Sequence, residues 1–148
     1  MGRVAGIDYG TVRIGIAISD PDRILSSPYE TYVRRNDKLD GDYFVKLVAE
    51  ERVEQFVVGL PIHLSGDASE KSKEAIVFGD WLHKLTGIPV DFVDERFTTR
   101  EAEQHLLGAN MTRQTRKMRR DKIAAQIILS TYLESGPKTV HDLGGIDD

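Results

Sequence analysis

The first nineteen residues constrain this chain most. Val4–Tyr9 (Val-Ala-Gly-Ile-Asp-Tyr) and Arg13–Ser19 (Arg-Ile-Gly-Ile-Ala-Ile-Ser) are short runs dense in Val, Ile and Ala, with Gly10-Thr11 between them. Apolar, β-branched runs separated by a turn residue predict a β-hairpin. The first run ends on an acid, Asp8, and a carboxylate in such company is costly to bury unless a cation or hydrogen-bond donors compensate it. One account is an acid at a strand end that bonds the backbone of the Gly10 turn. The other is a metal ligand, for which Gly6 and Gly10 leave close backbone space and Thr11 offers a hydroxyl to a phosphate.

The pattern then changes period. A third strand is expected within Ile24–Val33, at an edge or a bulge because Pro28 cannot donate to a ladder. Asp40 or Asp42 is expected to cap a helix whose apolar stripe is Phe44, Val45, Leu47, Val48 and Val53. Gln55–Leu60 is almost wholly apolar, as a strand covered on both faces should be, and Pro61 ends it. The next helix carries Ala75, Ile76, Phe78, Trp81, Leu82 and Leu85 and stops at Thr86-Gly87. Val90–Val93 reads as a strand, and Thr98 or Thr99 is expected to cap a helix through about Leu107. A basic loop follows, then a last helix over Ile123–Leu133.

The order β-β-β-α-β-α-β-α-α predicts an α/β fold. An antiparallel meander runs into βαβ crossovers, giving a five-stranded mixed sheet flanked by helices on both faces. With no repeat and no linker, a single domain over residues 1–136 is expected, followed by a flexible acidic tail over 137–148.

Composition removes several function classes. The chain has no cysteine, which excludes disulfides and thiolate metal sites and fits a reducing cytoplasm. No apolar run approaches the ~20 residues that cross a bilayer, so no membrane partner is expected. Net charge is −4, so nucleic-acid binding must be local rather than a basic coat. A local patch exists. Arg113, Arg116, Lys117, Arg119, Arg120 and Lys122 surround the single acid Asp121.

The remaining candidates for chemistry follow from placement. Asp94-Glu95-Arg96 stands where a parallel strand ends, the usual side for sites in open α/β sheets. Adjacent strand residues face opposite ways, so only one of Asp94 and Glu95 points into a site, and spacing does not choose between them. Arg96 either neutralises its neighbour or holds a phosphate by its planar fork. Asp121 is either one half of a surface ion pair or a ligand reaching the metal from a third direction. Oxygen donors without Cys or a tight His cluster favour Mg²⁺ or Mn²⁺ over Zn²⁺. His63, His83, His105 and His141 share no ligand spacing, and no P-loop or Gly-x-Ser-x-Gly context is present. Rigid acids beside a basic run point to hydrolysis of a nucleic-acid backbone by metal ions.

As a set these residues resemble the YqgF-type Holliday-junction resolvases, also described as pre-16S rRNA nucleases. The matching pieces are Gly6-Ile7-Asp8-Tyr9-Gly10-Thr11 with Arg13-Ile14-Gly15-Ile16-Ala17, then Val58-Gly59-Leu60-Pro61. Asp94-Glu95-Arg96-Phe97-Thr98-Thr99-Arg100-Glu101-Ala102 follows, and finally Asp121 before Ala124-Ala125. They cover essentially the whole chain in order. The resemblance implies a ribonuclease H-like fold and a divalent-metal site formed by Asp8, Glu95 and Asp121, which selects Glu95 over Asp94. It also implies a cytoplasmic role in trimming the 5′ end of 16S rRNA precursors, with branched DNA as the older assignment. Thr11, Arg13, Arg96, Arg113, Arg116, Lys117, Arg119 and Arg120 are then the expected substrate contacts. Val12 departs from the pattern, since relatives often carry Lys or another polar residue there.

Two other classes compete. Asp8-Tyr9-Gly10-Thr11 with Gly15 also resembles the first phosphate loop of actin-like ATPases and sugar kinases, but those close two such domains around ATP and this chain has length for one. A nucleic-acid-binding ribosome-assembly factor that keeps the acids without using them would share the basic patch. Monomer and homodimer both stay open.

Overall fold

The computed structural model describes residues 2–61, 70–94 and 113–135, the side chains of 113–116 excepted. The strands are β1 (Arg3–Asp8), β2 (Arg13–Ser19), β3 (Ser26–Val33), β4 (Val53–Leu60) and β5 (Val90–Asp94). The helices are α1 (Asp37–Glu51), α2 (Glu70–Thr86) and α3 (Arg113–Ser135). The helix expected from Thr98 or Thr99 to Leu107, and the tail, lie outside the described residues.

The sheet runs β3-β2-β1-β4-β5, a mixed five-stranded arrangement as the pattern predicts. β1 pairs antiparallel with β2 and parallel with β4, and β4 pairs parallel with β5. β3 is the edge strand, and its register with β2 shifts between Ile16 and Ala17, where Ala17 stands opposite Pro28. The proline thus sits at both an edge and a bulge, where its missing N–H costs least.

Both faces of the sheet are covered. On one, Ile7, Ile14, Ile16, Phe56 and Val58 pack with Phe44 of α1 and with Phe78 and Leu82 of α2. On the other, Val4, Ala17, Val57 and Val93 pack with Ala125, Ile128, Leu129 and Tyr132 of α3. Two glycines let α3 lie this close. A Cβ on Gly6 would stand 2.8 Å from the Leu129 Cβ, and one on Gly15 would stand 1.9 Å from the Asp121 carbonyl oxygen.

Three expectations are corrected. Val53, expected on the stripe of α1, opens β4 instead, because α1 ends at Glu51 with Arg52 in the left-handed conformation. The cap of α1 is Asn36, not Asp40 or Asp42: its extended backbone (φ −143, ψ 168) lets its side chain accept from the Leu39 N–H. The first turn of α1 is polar, so the apolar stripe begins late. Asp40 is buried inside the helix at 1% exposure. Its carboxylate accepts from the Tyr32 hydroxyl at 2.7 Å, the Arg35 N–H at 2.9 Å and Arg34 Nε at 3.2 Å. The basic run is likewise not a loop, because α3 begins at Arg113. No Gly or Pro interrupts residues 113–135, and Arg, Lys, Gln and Met are good helix formers. The apolar period is missing from its first turns because Lys117, Arg119 and Arg120 face solvent.

Candidate active site

The parallel strands β1, β4 and β5 end at one edge of the sheet, at Asp8, Leu60 and Asp94. Side chains alternate along a strand. On β1, Val4 packs under α3 and Gly6 abuts Leu129, so the next position on that face is Asp8. Asp8 stands opposite Gly15 across the β1–β2 ladder, and Gly15 meets the backbone of Asp121 on α3. A residue without a side chain at position 15 therefore brings two acids, 113 positions apart in sequence, to one place. Both line an open cleft of about 430 Å³, together with Thr11, Arg13, Lys71 and Glu74.

Arg13, the first residue of β2, reaches across the cleft. Its Nε donates to Asp121 Oδ2 at 2.7 Å, with the two side chains 30% and 18% exposed. The expected phosphate contact and the expected acid are thus held as a pair. Thr11 is exposed at the turn and lines the same cleft.

The turn carrying these groups is fixed by Arg34, just beyond β3. The Arg34 backbone N–H donates to the Val12 carbonyl at 2.9 Å. Its Nη1 donates to the Tyr9 hydroxyl at 2.8 Å, and its guanidinium lies 5.3 Å from the Tyr9 ring centroid. Asp40 anchors it from behind. Burial disfavours the charged form of Asp40, but hydrogen bonds from the Arg35 N–H, Tyr32 and Arg34 outweigh it and hold the carboxyl below the usual range. Arg34 accordingly grips residues 9 and 12, on either side of the Gly10-Thr11 tip. Val12 takes part through its backbone, and its own side chain is 61% exposed.

Side chains alternate along β5 as well. Val90 and Phe92 pack on the α2 side, with Phe92 against Gly79. Asp91 and Val93 face α3; Asp91 accepts from the Tyr132 hydroxyl at 2.9 Å. By the same alternation Asp94 falls on the α2 side, and it is not among the described residues lining the cleft. Glu95 and Arg96 lie outside the described residues.

The remaining expected contacts are spread along α3. Lys117, Arg119 and Arg120 are exposed on its first turns and do not line the cleft with Asp8. Arg113 and Arg116 belong to the same helix, but their side chains lie outside the described residues. Sequence reasoning missed Lys71, Glu74 and Arg34. The rule that open α/β sheets bind at the carboxyl ends of their strands would have pointed to the first, since Lys71 follows the end of β4.

Asp8 and Asp121 supply hard oxygen donors, and no histidine is among the described residues lining the cleft. That chemistry suits Mg²⁺ or Mn²⁺. Among the described residues no group of three or more metal-ligating side chains forms, so these two acids alone do not complete a site.

Three comparisons bear on this geometry. Residues 2–135 match the RuvX family, described as Holliday junction resolvase. A protein of Rhodopirellula baltica named as a candidate pre-16S rRNA nuclease is 48% identical over 134 residues, covering 90% of this chain and 78% of that one. A protein of the same name from Dictyoglomus turgidum is 40% identical over 133 residues, covering 90% and 94%. Among solved structures, T. thermophilus RuvC in complex with a Holliday junction substrate superimposes with a TM-score of 0.59, covering 94% of this chain and 99% of that one. At 14% identity that likeness speaks for the fold alone: the sheet and helices described here have the ribonuclease H-like fold shared with RuvC.

Proposed function

This chain belongs to the RuvX family, described as Holliday junction resolvase, and on that premise we propose that it is a metal-dependent nuclease that trims the 5′ end of pre-16S rRNA. The observation that carries the reading is the meeting of Asp8 and Asp121 in one cleft at the carboxyl edge of the sheet. Relatives 48% and 40% identical carry the pre-16S rRNA name, which favours that substrate.

Asp8 and Asp121, with Glu95 as the third acid, are the residues that would hold Mg²⁺ or Mn²⁺. When bound, such ions supply the charge that activates water and stabilises the leaving oxygen of a phosphodiester. The rest falls to the protein. Thr11 and Arg13 orient the phosphate at the cleft, and Lys71 adds a cation at its rim. Arg96 adds a planar fork. Arg113, Arg116, Lys117, Arg119 and Arg120 hold the strand's backbone along α3, where helical spacing spreads their charge over several phosphates. Residues 1–136 act as one catalytic domain. No helix among the described residues is long and apolar enough to cross a membrane. An rRNA substrate supports a cytoplasmic site of action.

Cleavage of a precursor 16S leader fragment tests the reading, with Mg²⁺ or Mn²⁺ and with the Asp8→Asn variant as control. Metal-dependent cutting by the wild type, lost in the variant, is expected. Binding without cutting would transfer the chain to the assembly-factor class. The family's description favours a second reading, cleavage of branched DNA, so a four-way junction belongs in the same assay. A junction resolvase must cut two strands and should act as a symmetric dimer.

A further inference from the structure

A second cleft, of about 360 Å³, adjoins the first and is walled by Tyr9, Arg34, Asp37, Val77, Phe78 and Trp81. Tyr9 and Glu74 line both clefts, so the second begins one residue from Asp8. Three of its eight lining residues are aromatic. Tyr9 and Phe78 pack with centroids 4.8 Å apart, and Phe78 and Trp81 with centroids 5.5 Å apart. Trp81 is half-buried beside Val77, which is 67% exposed and leaves the mouth open. Charged side chains of both signs also line it, Asp37 and Glu74 with Arg34 and Lys73.

Nothing in phosphodiester hydrolysis uses this slot. Its lining suits a flat base, with aromatic and apolar side chains for the ring and charged groups for its edge. Its continuity with the Asp8 cleft fixes which ring would arrive there. A strand whose phosphate lies at Asp8 and Asp121 carries its own bases into the adjoining space, and this opening shares Tyr9 and Glu74 with that cleft. We propose that the slot holds an unpaired base of the substrate strand next to the scissile phosphate. The proposal rests on the nuclease reading of the neighbouring cleft. Bases within a duplex stay stacked on their neighbours, so the slot selects single-stranded positions for cutting. The wall is stiff before binding, because Arg34 is tied to Asp40 and Tyr9. Little order is lost when the base enters.

Trp81 is the chain's single tryptophan and reports on its own site. The test uses the intact Asp8→Asn protein and a short single-stranded leader oligoribonucleotide spanning the cleavage point, with each nucleotide in turn made abasic. Expected are a change in Trp81 emission on binding and one position, beside the cleavage point, whose abasic form binds roughly 10-fold more weakly, as lost base stacking predicts. In Asp8→Asn carrying Trp81→Leu, followed by anisotropy, that position-specific penalty should vanish; with Trp81→Phe, which keeps an aromatic wall, it should persist. Binding with unchanged emission and no sensitive position overturns the slot. So does a penalty of the same size in the Trp81→Leu protein. The nuclease reading is judged apart, by metal-dependent cutting with the wild type. Cutting with no sensitive base removes the slot alone, and a sensitive base without cutting upholds the slot and removes the nuclease.

Discussion

Arg13 and Asp121 are joined across 108 positions of sequence by a 2.7 Å Nε–Oδ2 contact at the mouth of the cleft. The pair links a proposed phosphate contact to a proposed metal ligand, so neither group is independent of the other. A cation arriving at Asp121 competes with the guanidinium, and a phosphate arriving at Arg13 loosens its hold on the acid. Replacing Arg13 by Ala should therefore have two opposite effects. Half-maximal activity should need less metal, by up to about 5-fold for a partly exposed pair, while KM for the strand rises. A metal titration of cleavage measures both, and a metal requirement that rises would show that Arg13 helps to organise the acids rather than competing for Asp121.

The two neighbouring acids Asp94 and Glu95 should separate in the same assay. Asp94 lies on the α2 side of its strand, so Asp94→Asn should leave turnover within a few-fold of wild type. Glu95→Gln should lower it at least about 100-fold, more than second-shell changes at metal sites typically cost. Equal losses would remove Glu95 from the proposed site.

Gly15 makes the meeting of Asp8 and Asp121 possible. A Cβ there would lie 1.9 Å from backbone, which no rotamer change relieves. Gly15→Ala should destabilise the fold by about 3 kcal/mol, the upper end of ordinary overpacking. Activity should fall further than the folded fraction, since α3 must move away from β2. Denaturant unfolding alongside cleavage rates separates the two effects.

The basic face of α3 should act on binding. Replacing Arg116, Lys117, Arg119 and Arg120 together by Ala should weaken substrate affinity much more than it slows single-turnover cleavage at saturation. The slope of log affinity against log salt should shrink by up to about 3, from roughly 0.7 per phosphate contact on a single strand. An unchanged slope would place the strand elsewhere.

Asp40 should make the fold acid-sensitive. Its folded-state carboxyl titrates below the unfolded value, so its stabilisation is present above the unfolded pKa, about 4. That stabilisation is lost as pH falls through the lower, folded one. Asp40→Asn should remove this part of the acid dependence and cost about 3 kcal/mol, because Arg34 is left partly buried without its counter-charge. Thermal unfolding between pH 3 and 7 checks both. The variant should also loosen the 9–12 turn that Arg34 holds, and activity should fall with it.

Much of this was legible in the order of residues. The dense Val, Ile and Ala of residues 4–19 with a turn between the runs, the doubly apolar 55–60 run ended by Pro61 and the helical spacing of Ala75 to Leu82 each state a burial pattern that points to one element type. They gave the mixed sheet and the covering of both its faces, because local periodicity and burial are the same information. Asp8 stood out for a related reason, since an acid among buried strand residues needs a partner. Boundaries were less legible. Asn36 rather than Asp40 caps α1, and the basic run is helix, because exposed polar turns carry no apolar period.

What only tertiary structure decided is which distant groups meet. Nothing local says that Gly15 is the gap into which the backbone of Asp121 fits, or that Asp40 lies buried under Arg34 and Tyr32 instead of capping a helix. Nor does sequence order show that Tyr9 belongs to two clefts at once. Those facts depend on close approach between segments that are remote along the chain, and close approach is set by how whole faces pack. The sequence by itself determined the elements and the acids worth watching; packing determined which of those acids stand together, and what stands beside them.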